Sequence, residues 1–475
     1  MINTTMMQNI PLSSLVRFLA RHRRLRQATM KLIEKKAREI VVEENKDNRP
    51  VQVQEDKLAH VVAILHSFDR TIERGLISRH VQDRWLETLM DRVFCWGDVS
   101  RQAKQRLGFM PPLFVLVSPG KKCNLRCTGC YACSDAASAA RLDWETFDRI
   151  LTEKEELWGS YFTVISGGEP FLWKDDGKDL LDMVARHDSN FFLIYTNGTL
   201  ITKAVAERLA ELGNVSPAIS VEGFEAETDR RRGKGVHRRI LQAMENLREV
   251  GVPFGISVTA TRDNAEMVTS DEFADFYFDE QGAAYGWIFQ YMPIGRKYTL
   301  DLMVSPEQRL EMWRRTQRLV LERKIFVADF WNSGTSSNGC IAAGRSGGYL
   351  YIDWDGDISP CAFVPYSTSN IKDIYRRGGN LDDALRCPLM TRIRRWQDDY
   401  GYARPAKNTG NWLCPCVIRD HFGELLAAVR DTKAKPIDDE ASAALADSEY
   451  HCGMIEYGKA YNRLSGKIWK EHYVQ

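Results

Sequence analysis

Three closely spaced cysteines, Cys123, Cys127 and Cys130, constrain this chain most; they come directly after the apolar run 113–117. Because three and then two residues separate them, a single loop can bring all three thiolates to one metal centre. Iron–sulfur clusters are usually held by four Cys ligands, so a loop with three leaves one iron open to another group. Zinc is the alternative, but structural zinc sites combine pairs of Cys or His ligands and this loop has no His. A disulfide set is disfavoured, because three is odd and nothing suggests secretion.

The pattern Cys-x-x-x-Cys-x-x-Cys after a first strand resembles the radical S-adenosylmethionine (SAM) superfamily. The resemblance implies a [4Fe–4S] cluster on these cysteines, whose open iron is chelated by the amino and carboxylate groups of SAM. It also implies reductive cleavage of SAM to methionine and a 5′-deoxyadenosyl radical that abstracts a substrate hydrogen. The residue before the third Cys is commonly aromatic in the family, whereas here it is Gly129, followed by Tyr131. We expect Tyr131 to cover the adenine instead.

Composition places the chain among soluble globular proteins, with 475 residues, 44% apolar and 27% charged. The net charge of +1 gives no electrostatic case for nucleic-acid binding. The first residues show no basic region leading into an apolar run, so no signal peptide is expected, and the 11 Cys fit metal-bound thiolates in a reducing cytoplasm. No apolar run approaches the roughly 18 residues of a membrane span. The prediction is a cytoplasmic protein that meets a membrane, if at all, at its surface.

The first 43 residues are strongly basic. Between Arg17 and Arg38 there are nine Lys/Arg and one acid, Glu34, so this segment carries +8 and the rest of the chain −7. The spacing of Leu12, Leu15 and other apolar residues predicts a helix over 11–43. A basic amphipathic helix can lie on the inner, anionic face of a membrane. A solvated helix face packed on the main domain is the interpretation we favour, and binding to RNA or an acidic peptide also stays open.

Two further helices are predicted near 57–74 and 78–94, where apolar residues recur at three- and four-residue intervals. They suggest a helical front domain or lid. We expect His60, His66 and His80 to be ordinary residues of the polar helix faces rather than ligands.

From residue 113 onward, strand and helix patterns alternate, which predicts parallel strands with crossover helices. The predicted strands lie near 113–118, 161–166, 190–195, 215–221, 253–260 and 285–292. The predicted helices lie near 143–158, 176–187, 202–213, 236–250, 268–281 and 306–323. The fold class is therefore α/β, and the resemblance implies a partial (β/α)6 barrel with cofactor and substrate at the C-terminal strand ends. The predicted divisions are 1–110 (helical, basic), 111–325 (barrel), 326–425 (auxiliary-cluster domain) and 426–475 (helical tail).

Polar and Gly-rich residues follow the predicted strands. Gly167, Gly168 and Glu169 follow the second strand, where glycines allow close backbone approach and a carboxylate can bind an ammonium group. The resemblance implies that this Gly-Gly-Glu motif holds the SAM amino group.

The next strand ends extend the set of predicted cofactor-binding residues. The resemblance places Asn197, Ser220 and Glu222 near SAM or substrate and makes Ser257 a ribose contact, although the family commonly has Asp where this chain has Glu222. Arg232 matches a position that pairs with the SAM carboxylate, a contact suited to a guanidinium. A solvated basic turn over Arg230–Arg232 remains open, and Trp287 with Phe289 are expected in the core.

A second group of cysteines follows the barrel region. The Asp355-Gly356 turn between apolar runs predicts a hairpin that returns Cys361 toward Cys340. This segment resembles the SPASM or twitch extension of radical SAM proteins, which implies one auxiliary iron–sulfur cluster held by Cys340, Cys361 and Cys416, with Cys414 as the fourth ligand. If Cys414 lies too near Cys416, the fourth site is open to substrate or filled by a non-Cys group. Cys95, Cys133, Cys387 and Cys452 are expected to be buried thiols.

The function implied by these resemblances is hydrogen abstraction from an unactivated carbon of a peptide or protein, fed by an electron donor such as flavodoxin or ferredoxin. The same chemistry on a lipid or isoprenoid chain at the membrane surface is the first alternative, motivated by the basic helix. A non-catalytic iron–sulfur carrier or redox sensor is an alternative of another class. No catalytic side chain is assigned.

Overall fold

The computed structural model describes residues 23–94 and 97–474. Cys95 and residues 11–22 of the predicted basic helix lie outside this part of the chain. Within it, no helix is both long enough and apolar enough to cross a membrane.

A nine-stranded sheet forms the centre of the described chain, with the order β9-β8-β1-β2-β3-β4-β5-β6-β7. All neighbouring pairs are parallel except β8 with β9, and Phe114 of β1 pairs with Phe162 of β2 on one side and Tyr349 of β8 on the other. The strands are β1 Phe114–Val117, β2 Phe162–Ile165, β3 Phe191–Thr196, β4 Val215–Val221, β5 Gly255–Ala260, β6 Tyr285–Gln290, β7 Val327–Asp329, β8 Tyr349–Ile352 and β9 Ile358–Ser359. Small pairs join Lys174–Asp175 to Lys178–Asp179 and Tyr366–Ser367 to Lys435–Pro436.

Helices cover the sheet and both ends of the described chain. They are α1 Arg23–Arg38, α2 Val51–Glu73, α3 Arg79–Trp85, α4 Asp98–Leu107, α5 Trp144–Trp158, α6 Leu180–Arg186, α7 Lys203–Leu212, α8 Glu225–Arg232, α9 Val236–Val250, α10 Asp271–Ala274, α11 Pro306–Leu321, α12 Ile371–Arg376, α13 Leu381–Leu385, α14 Pro388–Gln397, α15 Phe422–Thr432, α16 Asp439–Ala446 and α17 Ser448–Ile468. Wider π turns extend five of them, over Glu39–Glu43, Leu86–Val93, Asp275–Glu280, Asp398–Tyr402 and Trp469–Tyr473. Short 3-10 turns lie at Pro170–Leu172, Met267–Thr269, Leu300–Leu302 and Ala406–Asn408.

The predicted α/β class and the six predicted strands are confirmed, but the sheet is larger than predicted. β8 is buried along its whole length and pairs in parallel with β1, while β9 returns beside it through the predicted Asp355-Gly356 turn. Pairing satisfies the N–H and C=O groups that a bare β1 edge would present. The sheet thus crosses position 325, where the sequence places a domain boundary, and that division stays a prediction.

Helix α8 was missed by the sequence analysis, which treated its end as a basic turn. It is almost wholly polar, so it lacks the apolar periodicity that signals a helix. Its order of charges is favourable for a helix, because Glu225 and Glu227 lie in the first turn and Arg230–Arg232 in the last. The chain reverses after it at Gly233.

The front helices α2 and α3 pack against loops that lead into the strands. Ser78 N donates to Gly251 O (2.9 Å) before β5, Arg74 donates to Phe278 O (2.8 Å) before β6, and Phe326 N donates to Ser67 Oγ (2.9 Å) before β7. Strand-leading loops lie at the opposite edge of a parallel sheet from the loop that carries the cysteines. The expectation of a lid is therefore wrong for α3 and for the end of α2 that carries Ser67.

Helix α1 lies along α2 and is joined to it by ion pairs, among them Arg38 with Glu55 (2.8 Å) and Arg26 with Glu73 (3.2 Å). At the other end of the described chain, the Tyr473 hydroxyl donates to buried Asp56 of α2 (2.7 Å). The first and last described helices therefore belong to one packed body.

Candidate functional site

The loop that follows β1 carries Cys123, Cys127 and Cys130. Cys123 is buried and the other two are half-buried. Arg296 fixes the loop, because its side chain donates to Cys127 O (2.8 Å) and Ser134 O (2.6 Å). Arg296 was not predicted from the sequence, since a single arginine after Gly295 carries no recognisable pattern.

Gly129 stands where the family commonly has an aromatic residue, and the structure gives a steric reason. Its φ is +64°, and an added Cβ would lie 2.6 Å from the ring of Tyr291. Tyr291 therefore occupies the space that a larger side chain at position 129 would need. The Tyr131 hydroxyl bonds to Ser166 Oγ (2.7 Å), at the end of β2.

The Gly-Gly-Glu segment after β2 lies directly on the cysteine loop. Gly168 N donates to Gly120 O (2.9 Å) and Glu169 N donates to Lys122 O (2.8 Å). A Cβ on Gly168 would lie 2.2 Å from Lys122 O, a distance that only glycine avoids. These glycines are thus required for the close approach of two backbones.

Glu169 is 1% exposed, so its side chain is enclosed by its neighbours. Its carboxylate accepts from Thr196 Oγ1 (2.7 Å) and from Asn197 N (2.8 Å) at the end of β3. Burial raises the pKa of Glu169 to about 7, because the charged form loses hydration. A cationic group placed nearby would favour the ionised form.

Glu222 and two arginines of α8 form a buried charge cluster. Glu222 is 1% exposed and accepts from Arg231 (2.5 Å) and Arg232 Nε (2.8 Å), and its second oxygen accepts from Thr259 N (3.1 Å). Arg232 reaches to 4.0 Å from Cys127 Sγ. The alternative prediction of a solvated basic turn is therefore wrong for Arg231 and Arg232. Only Arg230 of the three arginines is exposed. The sequence analysis missed Arg231 because it stands between two other arginines.

A cavity of about 260 Å³ joins these elements. The predicted residues that line it are Cys123, Cys127, Cys130, Gly167, Gly168, Asn197, Ser220, Arg232 and Ser257. Glu169 and Glu222 do not line it and instead hold residues that do. The structure thus brings the ends of β2, β3, β4 and β5 to the cysteine loop.

The rest of this cavity is mainly aromatic and aliphatic. Trp287 and Phe289 line it and are only partly buried, so their assignment to the core is wrong. Tyr195 packs edge-on against Phe289 at 5.4 Å, and Phe363 approaches both Phe289 (5.9 Å) and Tyr131 (5.7 Å). Away from the cysteines, the cavity therefore suits an apolar group.

A second cavity, of about 310 Å³, is lined by Cys340, Cys361 and Cys416 and is called here the auxiliary cavity. Trp287, Phe330 and Ile341 line both cavities, so the two are neighbours. Cys414 does not line it; Cys414 is fully buried and packs with Leu310 and Tyr461.

Three polar groups lie within hydrogen-bonding distance of these sulfurs, and two of them are N–H donors. Trp331 Nε1 lies 3.3 Å from Cys416 Sγ, Arg419 N lies 3.5 Å from the same sulfur, and the Tyr349 hydroxyl lies 2.9 Å from Cys361 Sγ. Burial raises the pKa of Cys361 to about 12. Buried or half-buried thiols that receive hydrogen bonds fit a site where a metal supplies the charge that stabilises thiolates.

The remaining cysteines lie apart from both sets. Cys387 is buried, as predicted, whereas Cys133 is half-buried and donates to Glu440 (3.1 Å). Cys452 is exposed, so its prediction as a buried thiol is wrong. In the described chain, no three His, Cys, Asp or Glu side chains are placed to hold a single metal ion. That finding concerns mononuclear sites only, because a four-iron cluster spreads its ligands over several metal atoms.

Comparison with known proteins supports one part of this assignment directly. Residues 117–274 match the family model of the radical SAM superfamily. This span contains the three early cysteines and every predicted cofactor-binding residue. It therefore forms a radical SAM domain, as the sequence motifs indicated.

Two curated relatives illustrate the range of the family. An AdoMet-dependent heme synthase of Methanosarcina barkeri is 27% identical over 282 residues, which are 53% of this chain and 77% of that protein. The mycofactocin maturase MftC of Mycolicibacterium smegmatis is 31% identical over 273 residues, 54% of this chain and 66% of the maturase. Among solved structures, Streptococcus suis SuiB bound to the precursor peptide SuiA shares the fold with a TM-score of 0.51 and 20% identity, covering 62% of this chain and 70% of SuiB.

Proposed function

We propose that this radical SAM enzyme abstracts a hydrogen atom from an unactivated carbon of a peptide or protein. Its cofactors are a [4Fe–4S] cluster and SAM. When bound, the reduced cluster supplies the electron that splits SAM into methionine and a 5′-deoxyadenosyl radical. The observation that carries the proposal is the convergence of Cys123, Cys127 and Cys130 with four strand ends on one cavity.

Residues of this cavity have distinct proposed roles. The three cysteines hold the cluster, and the backbone of Gly167 and Gly168 lies close enough to the loop to bind the amino end of SAM. Arg232, held by Glu222, is positioned to pair with the SAM carboxylate. Asn197, Ser220 and Ser257 supply polar contacts to the nucleoside, while Glu169 fixes the Asn197 backbone.

The size and lining of the cavity favour a chain-like substrate that inserts one side chain. Ligand pockets for drug-sized molecules span roughly 300–1,000 Å³, and this cavity of about 260 Å³ must also hold part of SAM. The remaining space is aromatic, which suits an apolar or aromatic side chain.

Two comparisons support the peptide class. The mycofactocin maturase is similar over more than half of this chain. The fold is also that of SuiB, which was solved with its precursor peptide bound, so a fold of this kind admits a peptide.

We further propose one auxiliary iron–sulfur cluster, held by Cys340, Cys361 and Cys416. The support is their shared cavity and the donors that point at their sulfurs. Electrons would enter from a donor such as flavodoxin or ferredoxin. Iron analysis of reconstituted protein tests the auxiliary cluster: about eight irons are expected, with about four left after Cys340, Cys361 and Cys416 are replaced by alanine.

A second candidate substrate, a lipid chain at a membrane surface, is favoured by one observation. Leu32 is 67% exposed on α1, together with Leu25 and Ile33, and Ile40 is exposed in the π turn that follows, among many basic residues. Flotation with anionic vesicles tests this candidate by comparing the full chain with a variant lacking residues 1–45 and with Leu32→Glu. Absence of binding by the full chain removes the motive for a lipid substrate.

The decisive test of the enzyme reaction is anaerobic cleavage of SAM by the reduced protein. The full chain should form 5′-deoxyadenosine and methionine. The variant Cys123→Ala, Cys127→Ala, Cys130→Ala should form none while it keeps the iron of the auxiliary cluster. Undiminished cleavage in that variant, or no cleavage by the full chain, contradicts the proposal, and the second result would favour an iron–sulfur carrier.

A further inference from the structure

The front helix α2 covers the auxiliary cavity. Lys57, His60, Val61 and Ile64 all line it. Their spacing of three, four and seven residues places them on one helix face. A segment that precedes the radical SAM domain in sequence therefore completes the wall of a cavity otherwise formed by Trp287 and by residues within 326–418.

His60 is the unusual residue of this face. It is 7% exposed, so its prediction as a residue of the polar helix face is wrong. Its Nδ1 lies 2.9 Å from the backbone carbonyl of Asp56, one turn earlier. A carbonyl oxygen only accepts, so Nδ1 carries the hydrogen and Nε2 presents a lone pair.

No group in residues 23–94 or 97–474 makes a hydrogen bond to this Nε2. The other contact of the ring is with Phe326, edge-on at 6.5 Å. A buried histidine oriented by a carbonyl through one nitrogen, with the other nitrogen free, is the usual arrangement of a metal-bound histidine.

Several other polar groups of the auxiliary cavity already have partners, whereas Trp287 Nε1 has none but carries a hydrogen and can only donate. Asp329 accepts from Gln290 through both oxygens (3.0 and 2.9 Å) and from the backbone of Trp331. The Ser336 and Ser337 hydroxyls donate to backbone carbonyls at 2.8 Å. Cys414, the predicted fourth ligand, lies outside the cavity.

We infer that His60 Nε2 is the fourth ligand of the auxiliary cluster held by Cys340, Cys361 and Cys416. This inference rests on the proposed auxiliary cluster. Three thiolates leave one iron without a protein ligand, and imidazole replaces thiolate on iron in Rieske centres, where it raises the reduction potential. The helical region before the sheet is then part of a metal site.

The first test observes the nitrogen directly. The variant Cys123→Ala, Cys127→Ala, Cys130→Ala isolates the auxiliary cluster, which is reduced and studied by pulsed electron paramagnetic resonance with unlabelled and 15N-histidine-labelled protein. A nitrogen coupling that changes with the label and disappears on His60→Ala is expected. His66→Ala is the matched control, because His66 lies on the same helix but pairs with Glu34 (2.9 Å) instead of lining the cavity. A coupling that survives His60→Ala, or no histidine coupling at all, overturns the inference.

The second test uses a substitution that keeps four ligands. His60→Cys replaces a neutral nitrogen by a thiolate, so the midpoint potential of the auxiliary cluster should fall while its iron content stays at about four. His60→Ala should leave an iron that is lost on mild oxidation, with the signal of a three-iron cluster. Unchanged potential in His60→Cys, together with unchanged oxidation in His60→Ala, contradicts the inference.

Failure of the premise gives a different result. The auxiliary cluster itself is refuted, and the inference with it, by any of three results for the variant that lacks the three early cysteines. These results are that the protein holds no iron, that it holds zinc, or that it keeps its iron after Cys340, Cys361 and Cys416 are also replaced by alanine. If the iron depends on these three cysteines but is indifferent to His60, only the inference fails.

Discussion

A substitution at Gly168 tests whether the close contact between the Gly-Gly-Glu segment and the cysteine loop is required for cleavage of SAM. A Cβ at this position would lie 2.2 Å from Lys122 O and 2.4 Å from Lys121 O, and real Cβ atoms essentially never approach closer than 3.0 Å. Both atoms are backbone, so no side chain can rotate away. The variant Gly168→Ala must therefore separate the two segments.

The required movement follows from these distances. Relief of the shorter contact needs at least 0.8 Å, the difference between 3.0 and 2.2 Å. The shift falls on Lys122, the residue before Cys123, and stretches the bond from Glu169 N to Lys122 O (2.8 Å). Overpacking of this kind costs about 1–3 kcal/mol of stability. Misplacement of reacting groups by about 1 Å can cost about 10²-fold in rate.

The assay measures 5′-deoxyadenosine formed per hour by anaerobically reconstituted protein, with iron and sulfide determined on the same sample. Gly168→Ala should remain folded and lower the rate by about 10²-fold. Gly423→Ala is the matched control: Gly423 lies in the first turn of α15, nothing lies within 4 Å of its added Cβ, and cleavage should be unchanged. A Gly168→Ala enzyme with normal iron content and normal cleavage would show that the contact is not required and refute the reasoning.

Three further predictions concern charge and hydrogen bonding. Glu222→Gln leaves Arg232 without a charged partner in a buried site. Denaturant titration should show an unfolding free energy lower by up to about 3–5 kcal/mol, and steady-state cleavage should show a higher KM for SAM. An unchanged KM would argue against Arg232 as a SAM ligand. Lys154 is fully buried, and burial lowers its pKa from 10.5 to about 7. Between pH 7 and 10 the unfolded chain therefore holds a proton on Lys154 that the folded chain lacks, and the unfolding free energy should rise by up to about 1.4 kcal/mol per pH unit. Lys154→Met should abolish that rise in urea titrations at several pH values, and an equal pH dependence in both proteins would contradict the prediction. Trp331→Phe removes a donor to Cys416 Sγ (3.3 Å) and should lower the midpoint potential of the auxiliary cluster in a redox titration. An equal potential in both proteins would show that this hydrogen bond does not affect the potential.

The fold was largely predictable because its signals are local. The six central strands and their crossover helices show clear apolar patterns and lie within a few residues of the predicted bounds. The elements that were missed or misplaced lack such a pattern or depend on distant partners. Helix α8 is almost wholly polar, and β8 joins the sheet only because β1 offers it an edge.

The candidate site divides in the same way. Spacing identified the early cysteines and the polar residues after each strand, because parallel strands bring their ends to one edge of the sheet. Spacing did not show that Glu169 and Glu222 turn away from the cavity to hold Asn197 and Arg232, since side-chain direction depends on neighbouring elements.

The sequence by itself identified the radical SAM domain, because three thiols within eight residues and the motifs at consecutive strand ends are properties of short segments. Only the tertiary structure decided what surrounds the second set of cysteines. His60 reaches the auxiliary cavity from a helix 280 positions before Cys340, and Cys414 is excluded from it although it is two residues from Cys416. The physical reason is that packing of helices on the sheet, and not distance along the chain, determines which side chains share a cavity.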